Sequence, residues 1–65
     1  MNIAQHCQLS GKEIRRLMRV HRITIDAIAT RYDLTKKRVR EVRMTGVSGF
    51  LASEWHFLIT GIWLH

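Results

Sequence analysis

Proline is absent from the 65 residues, and glycine occurs only four times, so few points in the chain interrupt a helix. The single cysteine, Cys7, excludes an intramolecular disulfide and matches no zinc-ligand spacing. Acidic residues are scarce: 5 Asp and Glu against 11 Lys and Arg leave a net charge of +6. Such a field suits phosphates or an acidic membrane face and argues against mimicry of DNA. No apolar run reaches the roughly 20 residues of a membrane span; the nearest, 50–65, is interrupted by Glu54 and His56. The start of the chain carries no basic stretch followed by an apolar one, which predicts a chain without a secretory signal and a reducing, cytoplasmic compartment. Catalysis finds no support either. The carboxylates are scattered among basic residues, Ser48 and Ser53 have no triad partners, and no glycine-rich phosphate loop exists. Neither enzyme activity nor a cofactor is expected.

With 46% hydrophobic and 25% charged residues, the chain is too apolar for intrinsic disorder. Residues 1–65 make one domain. A chain this short buries only roughly 60% of the surface its unfolded form exposes, so its stability is marginal without a partner. Charge divides it sharply. All eleven basic residues lie between Lys12 and Arg43, and from Met44 onward Glu54 is the only formal charge.

Helix punctuation recurs three times in the basic half. Ser10-Gly11-Lys12-Glu13 is a capping box, with Leu9 and Ile14 spaced as a hydrophobic staple. Ile14, Leu17, Met18 and His21 follow as an amphipathic stripe. Thr24 caps a second helix, stapled by Ile23 and Ile28, whose inner stripe is Ile25, Ile28, Ala29 and Tyr32. Thr35 caps a third, stapled by Leu34 and Val39, with Val39 and Val42 facing inward. A fourth helix is expected from Val47 or Ser48 to Thr60, stopped by Gly61, with Leu51, Trp55, Leu58 and Ile59 on one face. The first eight and last four residues fit short strands and coil equally well.

The segment TIDAIATRYDLTKKRVREVR, 24–43, carries the functional signal. Ala29 is small enough for two helices to cross closely. Asp33 occupies a sharp turn, a place usually given to glycine, where Asp tolerates left-handed geometry. Leu34, Val39 and Val42 anchor the next helix and leave its opposite face free. This is a helix-turn-helix pattern, 24–44. The segment resembles the helix-turn-helix of phage and bacterial repressors of the Xre/Cro type, over Leu9 to Gly61 and best over Thr24–Val42. KKRVREVR with the following GVSG and EW is also similar to small regulators encoded beside anti-CRISPR genes. The resemblance implies a DNA-binding domain acting as a homodimer on an inverted-repeat operator, an autoregulator of a small phage or mobile-element operon. Asp33 in place of the turn glycine and the dense basic load depart from the family's pattern.

At 100° per residue, burial of Val39 and Val42 points Lys37, Glu41 and Met44 outward, with Lys36 and Arg40 at the edge of that face. Arg38 and Arg43 flank the buried side, within reach of phosphates. Lys36, Lys37 and Arg38 are cations at a helix N-terminus, which prefers anions, so stability alone would not select them. A phosphate backbone would. Lys37 and Arg40 are the expected base readers, and Glu41 either accepts from a cytosine amino group or holds Arg40 in place. Thr24 and Thr35 complete the expected DNA-binding set of Lys36, Lys37, Arg38, Arg40, Glu41 and Arg43. Arg15, Arg16, Arg19 and Arg22 read as a solvated outer face that adds long-range attraction. The bland reading of the whole segment is a basic face on a structural hairpin; pattern, caps and misplaced charges together favour DNA.

His6, Cys7, His21, His56 and His65 have no metal-like spacing, so no metal is expected, and His21 reads as a core-edge residue. The apolar segment 48–65 exceeds what so small a core needs. Phe50, Phe57, Ile62, Trp63 and Leu64 are the expected homodimer surface, because such a patch is rarely left in water. The expected fold is an all-α, compact four-helix helix-turn-helix domain with a short apolar tail. The expected partners are operator DNA and a second copy, with no membrane and no small-molecule ligand. An alternative is a helix-turn-helix interaction protein, an antitoxin or inhibitor, that binds another protein through its apolar end.

Overall fold

A computed structural model describes residues 7–64. The elements run β1 (Gln8–Leu9), α1 (Gly11–Val20), α2 (Ile25–Arg31), α3 (Lys36–Thr45), β2 (Val47–Ser48) and α4 (Phe50–Thr60). The first three helices begin at the hydroxyl caps that the sequence marks. Ser10 Oγ accepts from the Glu13 amide at 3.1 Å, and the Ser10 amide donates to Glu13 Oε1 at 3.2 Å, closing the capping box. Thr24 Oγ1 accepts from the Ala27 amide at 3.0 Å and Thr35 Oγ1 from the Arg38 amide at 3.1 Å. Each cap satisfies an amide that would otherwise have no partner in the helix.

Helices α1 and α2 end alike. Arg22 follows the C-cap of α1 and Asp33 that of α2, both left-handed at φ 55°. The next amide in each case folds back onto the helix: Ile23 donates to the Met18 carbonyl and Leu34 to the Ala29 carbonyl, each at 2.9 Å. These six-residue closures turn the chain sharply and place an apolar side chain, Ile23 or Leu34, against the core. The left-handed Asp33 agrees with the sequence; nothing in the sequence marked Arg22.

The described residues are mostly helical, with four helices, but the fold is not all-α. Val47–Ser48 pairs antiparallel with Gln8–Leu9, in the register Gln8↔Ser48 and Leu9↔Val47. The fourth helix therefore starts at Phe50, not at Val47 or Ser48. Left-handed Gly46 and Gly49, at φ 76° and 64°, bracket β2, and the Gly49 amide donates to the Cys7 carbonyl at 2.8 Å. At the other end, Gly61 at φ 81° stops α4 as expected.

The core gathers Leu9, Ile14, Met18, Ile28, Ala29, Val39, Val42, Ala52, Trp55 and Ile59. Val39 and Val42 are wholly buried, so α3 presents its remaining faces outward. Two expectations need correcting. His21 is exposed, because the stripe of α1 ends at Met18 and His21 is already the C-cap. Leu51 is also exposed; α4 buries Ala52, Ser53, Trp55 and Ile59 instead, with Leu58 half-buried. The apolar arc of α4 is wide, and contact with β1, β2 and α1 selects which part of it faces inward.

Backbones approach closely where the start of α1 meets the end of α3. A Cβ on Gly11 would stand 2.6 Å from the carbonyl oxygens of both Arg43 and Met44. One on Gly46 would run into the Leu9 carbonyl. Backbone cannot yield as a flexible side chain can. Gly11→Ala is therefore expected to destabilise the fold by ~1–3 kcal/mol, as overpacking does, read as a lower urea midpoint. Asp33→Val should cost about 1–2 kcal/mol, the penalty of left-handed geometry for such a residue, whereas Asp33→Gly should be tolerated. Equal midpoints for both Asp33 variants would contradict this account of the turn.

Candidate nucleic-acid interface

Burial of Val39 and Val42 fixes the rotation of α3. Lys36, Lys37, Arg40, Glu41 and Met44 are exposed, and Arg38 and Arg43 are half-buried at the flanks, as the helical wheel predicts. Thr24 and Thr35 are exposed at the helix starts. Their oxygens accept the capping amides, but each hydroxyl proton remains able to donate to an acceptor outside.

Two carboxylates tether cations of α3. Asp26 Oδ1 lies 3.1 Å from Lys36 Nζ, and Glu41 Oε1 accepts from Arg38 Nη1 at 2.6 Å. Glu41 thus holds Arg38 and not Arg40. Residues three apart on a helix face each other, whereas neighbours one apart diverge by about 100°, which is why the nearer residue in sequence is not the partner. Both pairs are open to solvent, so each contributes under about 1 kcal/mol and can exchange for another anion at little cost.

A cleft of about 450 Å³ opens where α1, the start of α2 and α3 meet. Arg15 and Arg19 of α1, Thr24 and Asp26 at the start of α2, and Arg40 and Arg43 of α3 line it. Met18, Ile23 and Ile25 add apolar lining. The Arg15 guanidinium donates to the Arg43 carbonyl, which ties the two helices across the cleft. Arg15, Arg16, Arg19 and Arg22 are all exposed, as expected of a solvated face, but they border different parts of the surface. Arg16 borders a different, apolar groove with Leu17, Val20 and Leu64, and Arg22 sits in the turn. The spacing of Arg15 and Arg19, i and i+4, marks a shared strip of α1. Only the packing of α1 on α3 shows which neighbour that strip faces.

The five expected interface residues separate by exposure. Phe50, Ile62 and Trp63 are 60%, 64% and 43% exposed, while Phe57 and Leu64 are half-buried. Trp63 stacks on Phe57 with ring centroids 4.6 Å apart and planes 14° apart, and lies 6.3 Å from Phe50. The tail after Gly61 folds back onto α4. Ser53 Oγ donates to the Leu64 carbonyl at 2.9 Å, and His56 Nδ1 is 2.6 Å from the Ile62 carbonyl. A carbonyl only accepts, so this contact is a hydrogen bond in the tautomer that carries its proton on Nδ1.

Among the described residues no three His, Cys, Asp or Glu side chains gather as a metal site, and no helix is long and apolar enough to cross a membrane. His6 and His65 lie outside the described residues. Comparison with protein-family models, curated proteins and solved structures gives no match.

The caps and the exposed ion pair should differ in weight. Thr35→Ala is expected to lower stability by ~1 kcal/mol through loss of the α3 cap, and Glu41→Gln by no more than ~0.5 kcal/mol. Thermal unfolding at low and high salt checks both, since only the second effect should be screened by salt.

Proposed function

We propose that this chain is a sequence-specific, double-stranded DNA-binding transcriptional repressor that binds an inverted-repeat operator as a homodimer. In this reading α2, its turn and α3 form a helix-turn-helix, and α3 enters the major groove. The observation that carries it is the exposed cationic face of α3. Lys36, Lys37 and Arg40 stand free of the core while Val39 and Val42 hold the opposite side. The first turn of α3 contains no acidic residue, although a helix N-terminus favours one. Phosphate supplies the missing anion.

Lys37 and Arg40 reach base edges, while Lys36, Arg38, Arg43 and the hydroxyls of Thr24 and Thr35 take phosphates. Glu41 holds Arg38 and can accept from a cytosine amino group. Repression follows from occupying a promoter, and autoregulation of a small phage or mobile-element operon, such as an anti-CRISPR operon, in the bacterial cytoplasm fits the sequence resemblance. Phe50, Ile62 and Trp63 provide the surface on which a second copy docks. The exposure of that same surface also supports a second reading, a helix-turn-helix antitoxin or inhibitor whose apolar end binds a different protein. Sedimentation separates them: a self-associating chain forms a dimer alone.

Arg40→Ala should weaken operator binding by ~1–3 kcal/mol and leave random duplex nearly unaffected, measured by titration of both. Equal losses on the two would reassign Arg40 to the backbone. Trp63→Ala should weaken the dimer, so that operator binding fails at low protein concentration and recovers at high concentration. Footprinting should then find half-sites centred one helical turn apart, roughly 34 Å. A Trp63→Ala chain that stays dimeric and binds undiminished would remove the tail from the interface.

A further inference from the structure

We infer that the cleft between α1 and α3 is a seat for a DNA backbone phosphate, made by Arg15 and Arg19 with Arg43, and that Asp26 tempers its affinity. The inference rests on the DNA-binding reading and extends the interface to a helix which that reading leaves out. Three observations carry it. Arg15 and Arg19 share the cleft with Arg40 and Arg43, so four arginines line a space of about 450 Å³. A cluster of like charges is adverse by itself and favourable once an anion lies among them. Arg15 is already held in place by its bond to the Arg43 carbonyl, so less conformational freedom is lost when a phosphate arrives.

Asp26 is the third observation. Among the described residues it is the only carboxylate lining the cleft, and it pairs with Lys36 of α3. Its charge repels an incoming phosphate and occupies a cation that the phosphate could use. Both effects lower affinity for every duplex alike, because a backbone contact carries no sequence information. A repressor needs such restraint, since a chain with net charge +6 is otherwise retained on non-specific DNA.

The test is the salt dependence of binding to operator and to random duplex, with folding of each variant checked by circular dichroism. Arg19→Gln is expected to flatten the slope of log affinity against log salt by about one unit on both duplexes. Asp26→Asn is expected to steepen it by about one unit and to raise affinity for both duplexes by the same factor. Arg16→Gln removes the same charge from α1 where it borders the other groove, outside the cleft, and is expected to leave the slope nearly unchanged. If Arg16→Gln flattens it as much as Arg19→Gln, net charge alone is at work and the cleft is no phosphate seat. Wild-type chain that binds DNA while Arg19→Gln and Asp26→Asn leave the slope unaltered overturns this inference alone. Wild-type chain that binds no duplex at low salt overturns the DNA-binding reading as well.

Discussion

The basic side of the molecule depends on one contact between backbones. Gly11 begins α1 against the carbonyls of Arg43 and Met44 near the end of α3, closer than any Cβ permits. Gly46 repeats the approach just beyond, beneath the Leu9 carbonyl, and the short pairing of β1 with β2 continues from it. The start of α1 is thereby pinned to the end of α3. A ten-residue helix spans about 15 Å, so its direction from that point decides what its side chains meet. Arg15, four residues along, reaches the Arg43 carbonyl, and Arg19, a further turn on, lines the same cleft. Without the two glycines the helices would separate by the width of a side chain, and the arginines of α1 would no longer face those of α3.

What could be read from the sequence was local. Ser10 with Glu13, Thr24 and Thr35 announce their helices because a cap and the amide it satisfies are three residues apart. The inward placing of Val39 and Val42 and the turn at Asp33 follow from the same short-range logic. Features that depend on distant partners were not legible. Gln8 and Leu9 are strand only because Ser48 and Val47 lie beside them, and two residues carry no periodicity of their own. Leu51 shares a stripe with Trp55 on paper, yet the sheet and α1 turn Ala52 and Ser53 inward instead. The partner of Glu41 was misjudged for a simpler reason, since Arg40 is adjacent in sequence but Arg38 is adjacent on the helix surface. The cleft between α1 and α3 belongs to the same class as the strands: it needs the packing of two helices to exist.

The five carboxylates are few enough to follow individually. Glu13 closes a cap, Asp33 makes a turn, Asp26 and Glu41 hold Lys36 and Arg38, and Glu54 is half-buried on α4. None of them is paired with Lys37, Arg40 or Arg43 by any salt bridge among the described residues. The anions of the chain are spent on shaping helix ends and on two exposed tethers of small energy. The field of α3 and the cleft is thus only partly cancelled, and exposed tethers exchange readily for phosphate oxygen.

The apolar end matters to this surface through rigidity as much as through exposure. Ser53 and His56 of α4 bond the Leu64 and Ile62 carbonyls, and Trp63 stacks on Phe57, so the tail is built into the fold. Helix α4 packs in turn on α1 and on both strands, and α1 packs on α3. A continuous chain of packed elements therefore joins the Phe50, Ile62 and Trp63 patch to the cationic face of α3. In the proposed homodimer that continuity has a geometric consequence. A floppy tail could hold two copies together, but it would leave the distance between their recognition helices undefined, and a palindromic site separated by whole turns of duplex would gain little from it. A tail fixed to α4 sets that distance in advance, so that the second half-site is met without further ordering of the chain.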